Sequence, residues 1–369
     1  MARKQKGHFD SVFFGLVIGL TVFGLIILTS ASGPSGYEQF ADSYYFLKHQ
    51  IAAGILPGLG FMAIAMFTPY TWYRKVAFPL LLLSIGLLAL VFIPGIGTDF
   101  GTFANSWVDI GGFSFQPAEI VKLTFLLYLC AWMAERAGSK LQDFSEGLVP
   151  FLTIMGVITF LILMQPDLGT LSIIGAMAFI IFFVAGGSIK HIVGIGVAGS
   201  VGLYAMIMSS PYRVERFTTF LHPELDPQGV GYQINQALLA IGSGGMFGRG
   251  YGHSLQKFQY LPEVIGDSIF AVMAEELGFF LTVAFVALFV AMVLRGFWLS
   301  QRVENKFGRF LIIGIVSWFG IQAFVNIGAM VAILPITGVP LPFLSYGGTA
   351  MVVSLAAAGV VLNISKSAK

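Results

Sequence analysis

One acid and a handful of cations stand where a membrane chain has least use for them. Asp267 follows QKFQYLPEVIG and opens an apolar run, which places its carboxylate at a membrane interface near Lys257 and Glu263. That setting shifts a carboxyl pKa and suits a general base. A plain helix cap, favoured by the dipole, is the alternative. Arg213 and Arg216 are i,i+3 in PYRVERF. On a helix they form a fork suited to phosphate; Glu215 between them leaves a surface ion-pair turn open. Arg249 sits in GSGGMFGRGYG, whose glycines free the backbone to approach a ligand or simply make a flexible loop. Glu119 and Lys122 are i,i+3 inside an apolar run. A lysine there costs a few kcal/mol unless paired or solvated. The two form either an internal ion pair or one wall of a polar cavity opening toward Trp107 and GGFSFQP. Glu275 and Glu276 lie about 80° and about 180° round a helix from Asp267, roughly 12–13 Å deeper. They read as buried polar contacts lining the helix, as do Asn326, which is i,i+4 from Gln322, and Ser345.

The elements that must hold these groups are membrane helices. The chain has 369 residues, 57% hydrophobic and 10% charged. A soluble domain carries about 25% charge, so no solvated surface can be built from this set. The fold class is an all-α polytopic membrane protein, a single integral membrane domain over 1–369. Spans fall near 9–30, 49–67, 76–94, 117–135, 148–164, 170–186, 190–208, 267–295, 309–334 and 342–364. That is about ten transmembrane helices. The first is too long for a signal-peptide core and reads as retained. The lone Cys130 excludes a disulfide framework and reads as packing.

Fourteen of the twenty Lys and Arg side chains fall in the tails and loops of one side. Both termini are therefore expected to be cytoplasmic, with an N-tail of 1–8 and a C-tail of 365–369. Lys122 lies within a span. Of the five remaining cations, Arg213, Arg216, Arg249 and Lys257 lie in one long extracytoplasmic loop, 209–266, between helices 7 and 8. Cations are disfavoured in short translocated loops, so their concentration points to an anionic ligand. No phosphate-binding loop, dinucleotide fingerprint or zinc-ligand spacing is present, and a net charge of +2 gives no reason to expect nucleic acid. Intramembrane Glu119, Lys122, Glu275, Glu276 and Asn326 also suit a flippase or other secondary transporter. A carrier, however, sets its polar site at the midplane. A non-catalytic scaffold is the third reading.

Several strings then converge. QPAE-x-x-K lies at 116–122, QPDLGT at 165–170, PYR-x-x-R at 211–216 and IGSGG-x-FG-x-G at 241–250. YLPE-x-x-x-D-x-IFAV-x-AEELGF lies at 260–279 and PLPFLSYGGT at 340–349. The chain resembles the SEDS family (FtsW, RodA, SpoVE) from about residue 9 to 364, closer to the FtsW type. The resemblance implies a peptidoglycan glycosyltransferase, inverting, in the cytoplasmic (inner) membrane with its active site extracytoplasmic. It would polymerise lipid II, the undecaprenyl-pyrophosphate disaccharide-pentapeptide. Its implied partners are a class B penicillin-binding protein transpeptidase and proteins of the division or elongation complex. By the same resemblance Asp267 is catalytic, and Lys122 with Glu119, Arg213 and Arg216 carry over by motif. Arg249, Lys257 and Trp107 are further candidates to hold pyrophosphate. A divalent cation, Mg or Mn, could share that load, although no ligand cluster in the sequence demonstrates one. Two positions depart from the family: Ile265-Gly266 stands for His-Thr before the acid, and Ser106-Trp107 stands for Arg-Trp.

Overall fold

The computed structural model describes residues 7–98, 106–209, 211–222 and 229–369, except the side chains of Phe113, Pro211, Tyr212, Arg213, Arg216 and Val230. Among the described residues nine helices are long and apolar enough to span a bilayer: α1 (Ser11–Phe40), α2 (Tyr45–Phe67), α3 (Tyr70–Leu90), α4 (Pro117–Arg136), α5 (Phe144–Leu163), α7 (Ile189–Met208), α10 (Ile269–Gln301), α11 (Lys306–Met330) and α12 (Gly348–Ser365). The tenth expected span is the shorter α6 (Leu168–Val184). The glycine pair Gly186-Gly187 lies in the short break between α6 and α7.

Burial ranks these helices. In the most apolar window of α4, 78% of residues are buried, against 72% in α11 and α12 and none in α7. The polar-bearing helices are thus the interior ones, with α4 packed on α3 and α11. α7 presents its apolar surface outward along its whole length, as lipid permits. The start of α1 and the end of α12 meet at one end of the bundle, where the Asp10 amide donates to Ser365 Oγ at 3.0 Å. Arg295 clasps the Asp10 carboxylate there at 3.1 and 2.6 Å. Burial raises the pKa of Asp10, but Arg295 and the Phe13 amide outweigh it, and the net shift is downward. A depressed carboxyl stabilises above its unfolded pKa, and that contribution is lost as pH falls through the folded value. Wild-type thermal stability should fall more steeply than that of Asp10→Asn below about pH 4, with the two curves converging in acid.

The opposite end carries the long connections, and here the fold differs from expectation in three ways. A small antiparallel sheet, β1 (Gly97–Thr98), β2 (Trp107–Ile110) and β3 (Phe113–Phe115), precedes α4. β2 and β3 close through Gly111-Gly112, both at positive φ, as a two-residue hairpin turn requires. Second, the connection after α7 is largely helical: α8 (Pro211–Leu221) and α9 (Val230–Ser243) occupy most of its first half.

Third, α10 is broken. Gly278 has φ 73° and ψ −177°, so residues 269–277 form a short helix of their own before the long span begins. The glycine-rich stretch docks on this break through backbone. Arg249 and Gly250 amides donate to the Glu275 and Glu276 carbonyls, and Phe279 and Phe280 amides donate to Gly245 and Met246. A Cβ at Gly278 would collide with the backbone of Phe247 and Gly248. Gly278→Ala should therefore lower the thermal midpoint in detergent sharply, the backbone conformation alone costing about 1–3 kcal/mol. An Ala variant as stable as wild type would contradict this reading of the break.

Candidate functional site

Two polar clusters meet under the broken start of α10. The first is built on α11. Trp318, Gln322 and Asn326 recur at i, i+4 and i+8 and so share a face. Trp318 Nε1 donates to Gln322 Oε1 at 2.6 Å, and Gln322 Nε2 donates to the Pro340 carbonyl at 2.7 Å. Asn326 Nδ2 donates to the Asp267 carbonyl at 2.9 Å and the Val339 carbonyl at 2.8 Å. Lys122 reaches the same face from α4, donating to Glu119 Oε1 at 2.7 Å and Gln322 Oε1 at 2.9 Å. Its ammonium also lies 5.1 Å from the Trp318 ring centroid. Gln322 and Asn326 are one turn apart, about 6 Å along the axis. The ion pair therefore sits one helical turn from the backbone of Asp267.

Lys122 is fully buried in this arrangement, so it is not presented to a ligand as an open cation. The expectation that it faces an anion in a cavity is corrected: its partners are Glu119, Gln322 and an indole. Pro117 at the start of α4, with Glu119 in the first turn, fixes the phase that turns both residues inward. Glu119 Oε2 is buried with no hydrogen-bond partner among the described residues.

Asp267 sits just before the short helix and is mostly buried. Three contacts hold its backbone neighbourhood. Asn326 takes its own carbonyl, the Tyr346 amide donates to the Ile265 carbonyl at 2.8 Å, and Gln233 of α9 donates to Ser268 Oγ at 3.1 Å. Tyr346 is fixed in turn by His49, its hydroxyl lying 2.8 Å from His49 Nδ1. Burial, then Tyr45, push its phenol up to about 12, so it stays protonated. Gln50 accepts the Gly347 amide at 3.0 Å. The string PLPFLSYGGT thus acts as a brace for the acid. Ser345, expected to line a helix, accepts the Leu341 amide at 2.8 Å inside this brace. A cavity of about 10 Å³ beside it, lined by Gln322, Ser345 and Ser354, has room for no more than about one water and cannot hold a sugar.

The second cluster surrounds Glu275 and Glu276. Glu275 accepts from Ser254 Oγ (2.5 Å) and from the Leu255 and Gln256 amides (3.1 and 3.3 Å). Arg249 Nε stands 3.5 Å from it. Glu276 accepts from Ser30 Oγ at 2.6 Å and Lys257 Nζ at 2.8 Å. Lys257 also donates to Ser30 Oγ at 2.9 Å and the Gly252 carbonyl at 2.7 Å. With its three N–H groups engaged and only 4% of its surface exposed, Lys257 is not available to pyrophosphate, contrary to expectation. The glycines around Arg249 serve backbone docking rather than moulding to a ligand.

Arg213 and Arg216 share one face of α8, but their side chains lie outside the described residues. α8 packs on α9, and α9 on α10, so the arginine helix is two packing contacts from Asp267. Trp107 pairs with Thr98 in the sheet and is half-buried. Neighbouring Ser106 is buried. Among the described residues no three His, Cys, Asp or Glu side chains stand together as a metal-ligand cluster.

The sequence profile of a cell cycle protein family, FtsW/RodA/SpoVE, matches residues 10–369. The chain is 38% identical over 365 residues to a probable peptidoglycan glycosyltransferase FtsW of Geobacter sp. (strain M18), covering 98% of both. It is 39% identical over 364 residues to the stage V sporulation protein E of Bacillus subtilis (strain 168), again covering 98% of both. A chain solved in a study of polymerization and crosslinking by a peptidoglycan synthase complex superposes with a TM-score of 0.80 at 26% identity, covering 97% of both. The rod shape determining protein RodA of Thermus thermophilus superposes with a TM-score of 0.70 at 28% identity, covering 97% of this chain and 96% of that one. Matched along nearly its whole length by profile, relatives and fold alike, this chain belongs to the FtsW/RodA/SpoVE family.

Proposed function

We propose that this protein is a peptidoglycan glycosyltransferase that polymerises lipid II, with Asp267 as its base. The observation that carries the reading is the treatment of Asp267. Asn326 and Tyr346 brace the backbone at Asp267 and Ile265, and Gln233 holds the Ser268 side chain, at the end of the bundle where the long connections gather. A carboxylate held this way keeps its orientation through the reaction, which is what general base catalysis needs. The excess of Lys and Arg at the opposite end supports an extracytoplasmic Asp267 end.

The step is a displacement at the anomeric carbon of the donor. The acceptor sugar 4-hydroxyl attacks, its oxygen bonds to that carbon, and its proton passes to the Asp267 carboxylate. The carbon–oxygen bond to undecaprenyl pyrophosphate breaks and the electron pair leaves with the pyrophosphate. One attack inverts the donor's α linkage to β. Arg213 and Arg216, one face of α8, are the cations assigned to the leaving group, because stabilising developing charge is usually the largest contribution. Lys122 acts from beneath, through Gln322 on the helix that holds Asp267. A divalent cation, if bound, would add charge on the pyrophosphate, but no step here is routed through one. The polyprenyl tail stays in lipid. A class B penicillin-binding protein transpeptidase, within a division or elongation complex, is the partner expected to cross-link the product.

Purified protein given lipid II, with and without such a partner, tests this. Glycan polymer on a gel supports it. Intact lipid II after incubation in both arms contradicts it.

A further inference from the structure

The knot around Glu275 and Glu276 has no role in the displacement just described, yet it is the most heavily bonded polar cluster outside it. Its members come from four separate stretches, Ser243 of α9 donating to Glu275 Oε1 at 3.3 Å. Ser30 belongs to α1, Gly252, Ser254 and Lys257 to the connection, and Glu275 and Glu276 to the short helix 269–277. Two fully buried carboxylates take almost every donor of residues 254–257, including the amides of Ser254, Leu255 and Gln256. Their own carbonyls take the amides of Arg249 and Gly250. The connection from 249 to 257 therefore hangs on two adjacent residues. Those residues lie at the end of the short helix that Asp267 immediately precedes. The Gly278 break relieves this helix of the long span's direction, so its placement must come from elsewhere. Its far end is tied to α1 through Lys257, Glu276 and Ser30.

We infer that Lys257 and Glu276 are positioning residues: their buried ion pair, clamped to Ser30, sets the placement of the short helix and hence of the Asp267 carboxylate. The inference rests on the reading of Asp267 as the base. It replaces the expectation that Lys257 binds pyrophosphate. Removing one partner strands a buried charge, whereas removing both leaves a pocket that neutral side chains can fill. Lys257→Met and Glu276→Gln singly should both lose thermal stability, and the double variant should recover most of it. A positioning role makes activity behave differently. Misplacing a reacting group by about 1 Å can cost on the order of a hundredfold.

The test is polymerisation kinetics, thermal stability and amide hydrogen exchange on the full-length wild type, both single variants, the double variant and Ser30→Ala. For the double variant we expect near-wild-type stability, kcat down at least tenfold, an unchanged KM for lipid II, and faster exchange confined to residues 258–268. Ser30→Ala, which keeps the ion pair, should show the same pattern more weakly and stands in if the double variant does not fold. Recovery of both stability and kcat in the double variant would reduce the knot to ordinary packing and overturn the inference. A raised KM with unchanged kcat would return Lys257 to donor binding and overturn it too. Should the wild type not polymerise, the functional reading fails on its own. Exchange then decides the positioning claim, which unchanged protection at 258–268 would refute.

Discussion

Asp267→Asn should fold, keep its partner contacts and lose polymerisation by about 10²–10⁴-fold, the usual weight of a general base. The amide matches the carboxylate in size, and the bond from Asn326 goes to the backbone carbonyl, which the substitution leaves in place. The substitution removes the ability to take the acceptor's proton. Turnover of lipid II by the purified variant, with its thermal midpoint as the folding control, reads this directly. An Asn variant that polymerises at the wild-type rate would remove Asp267 from the chemistry.

Lys122→Met carries the second large effect, and it acts on stability before it acts on rate. The substitution strands Glu119 in the interior, beside a second carboxylate oxygen that already lacks a hydrogen-bond partner among the described residues. Breaking a buried pair from one side costs about 3–5 kcal/mol. The same change takes a donor from Gln322, which shares its helix face with the Asn326 that holds Asp267. Both the thermal midpoint in detergent and polymerisation should fall. Glu119→Gln added to Lys122→Met should restore much of the midpoint, because no charge is then left unpaired. If Lys122→Met alone matches wild type in stability, the pair is not the brace described here.

The spans were legible because lipid imposes one rule on every residue, and a hydrophobic run of sufficient length can hardly mean anything else. All ten runs correspond to helices, with α6 the short one. The family, too, was legible from QPAE-x-x-K, PYR-x-x-R and YLPE-x-x-x-D. Partner choice was not. Lys257 stood out as a cation on the wrong side of the membrane, but its charge is answered by Glu276 and by Ser30, 227 positions away in sequence. No local spacing encodes such a pairing. The helix phase of Glu275 and Glu276 relative to Asp267 supposes a helix that includes Asp267, whereas the short helix begins at Ile269, two residues after the acid. A glycine within AEELGF reads as ordinary in a membrane helix, where glycine is common. The β2–β3 hairpin was within reach, since Trp107–Ile110, a Gly-Gly pair and Phe113–Phe115 alternate as strands do. Length and hydropathy drew attention past it.

The account turns on one claim: that the Asp267 end of this bundle joins sugars rather than moving a lipid across the membrane. Proteoliposomes holding the purified protein and lipid II allow polymer and translocated lipid to be followed in the same sample. The account predicts glycan strands with wild type, none with Asp267→Asn, and translocation no faster than in protein-free vesicles. Translocation without polymer, unaffected by Asp267→Asn, would contradict it.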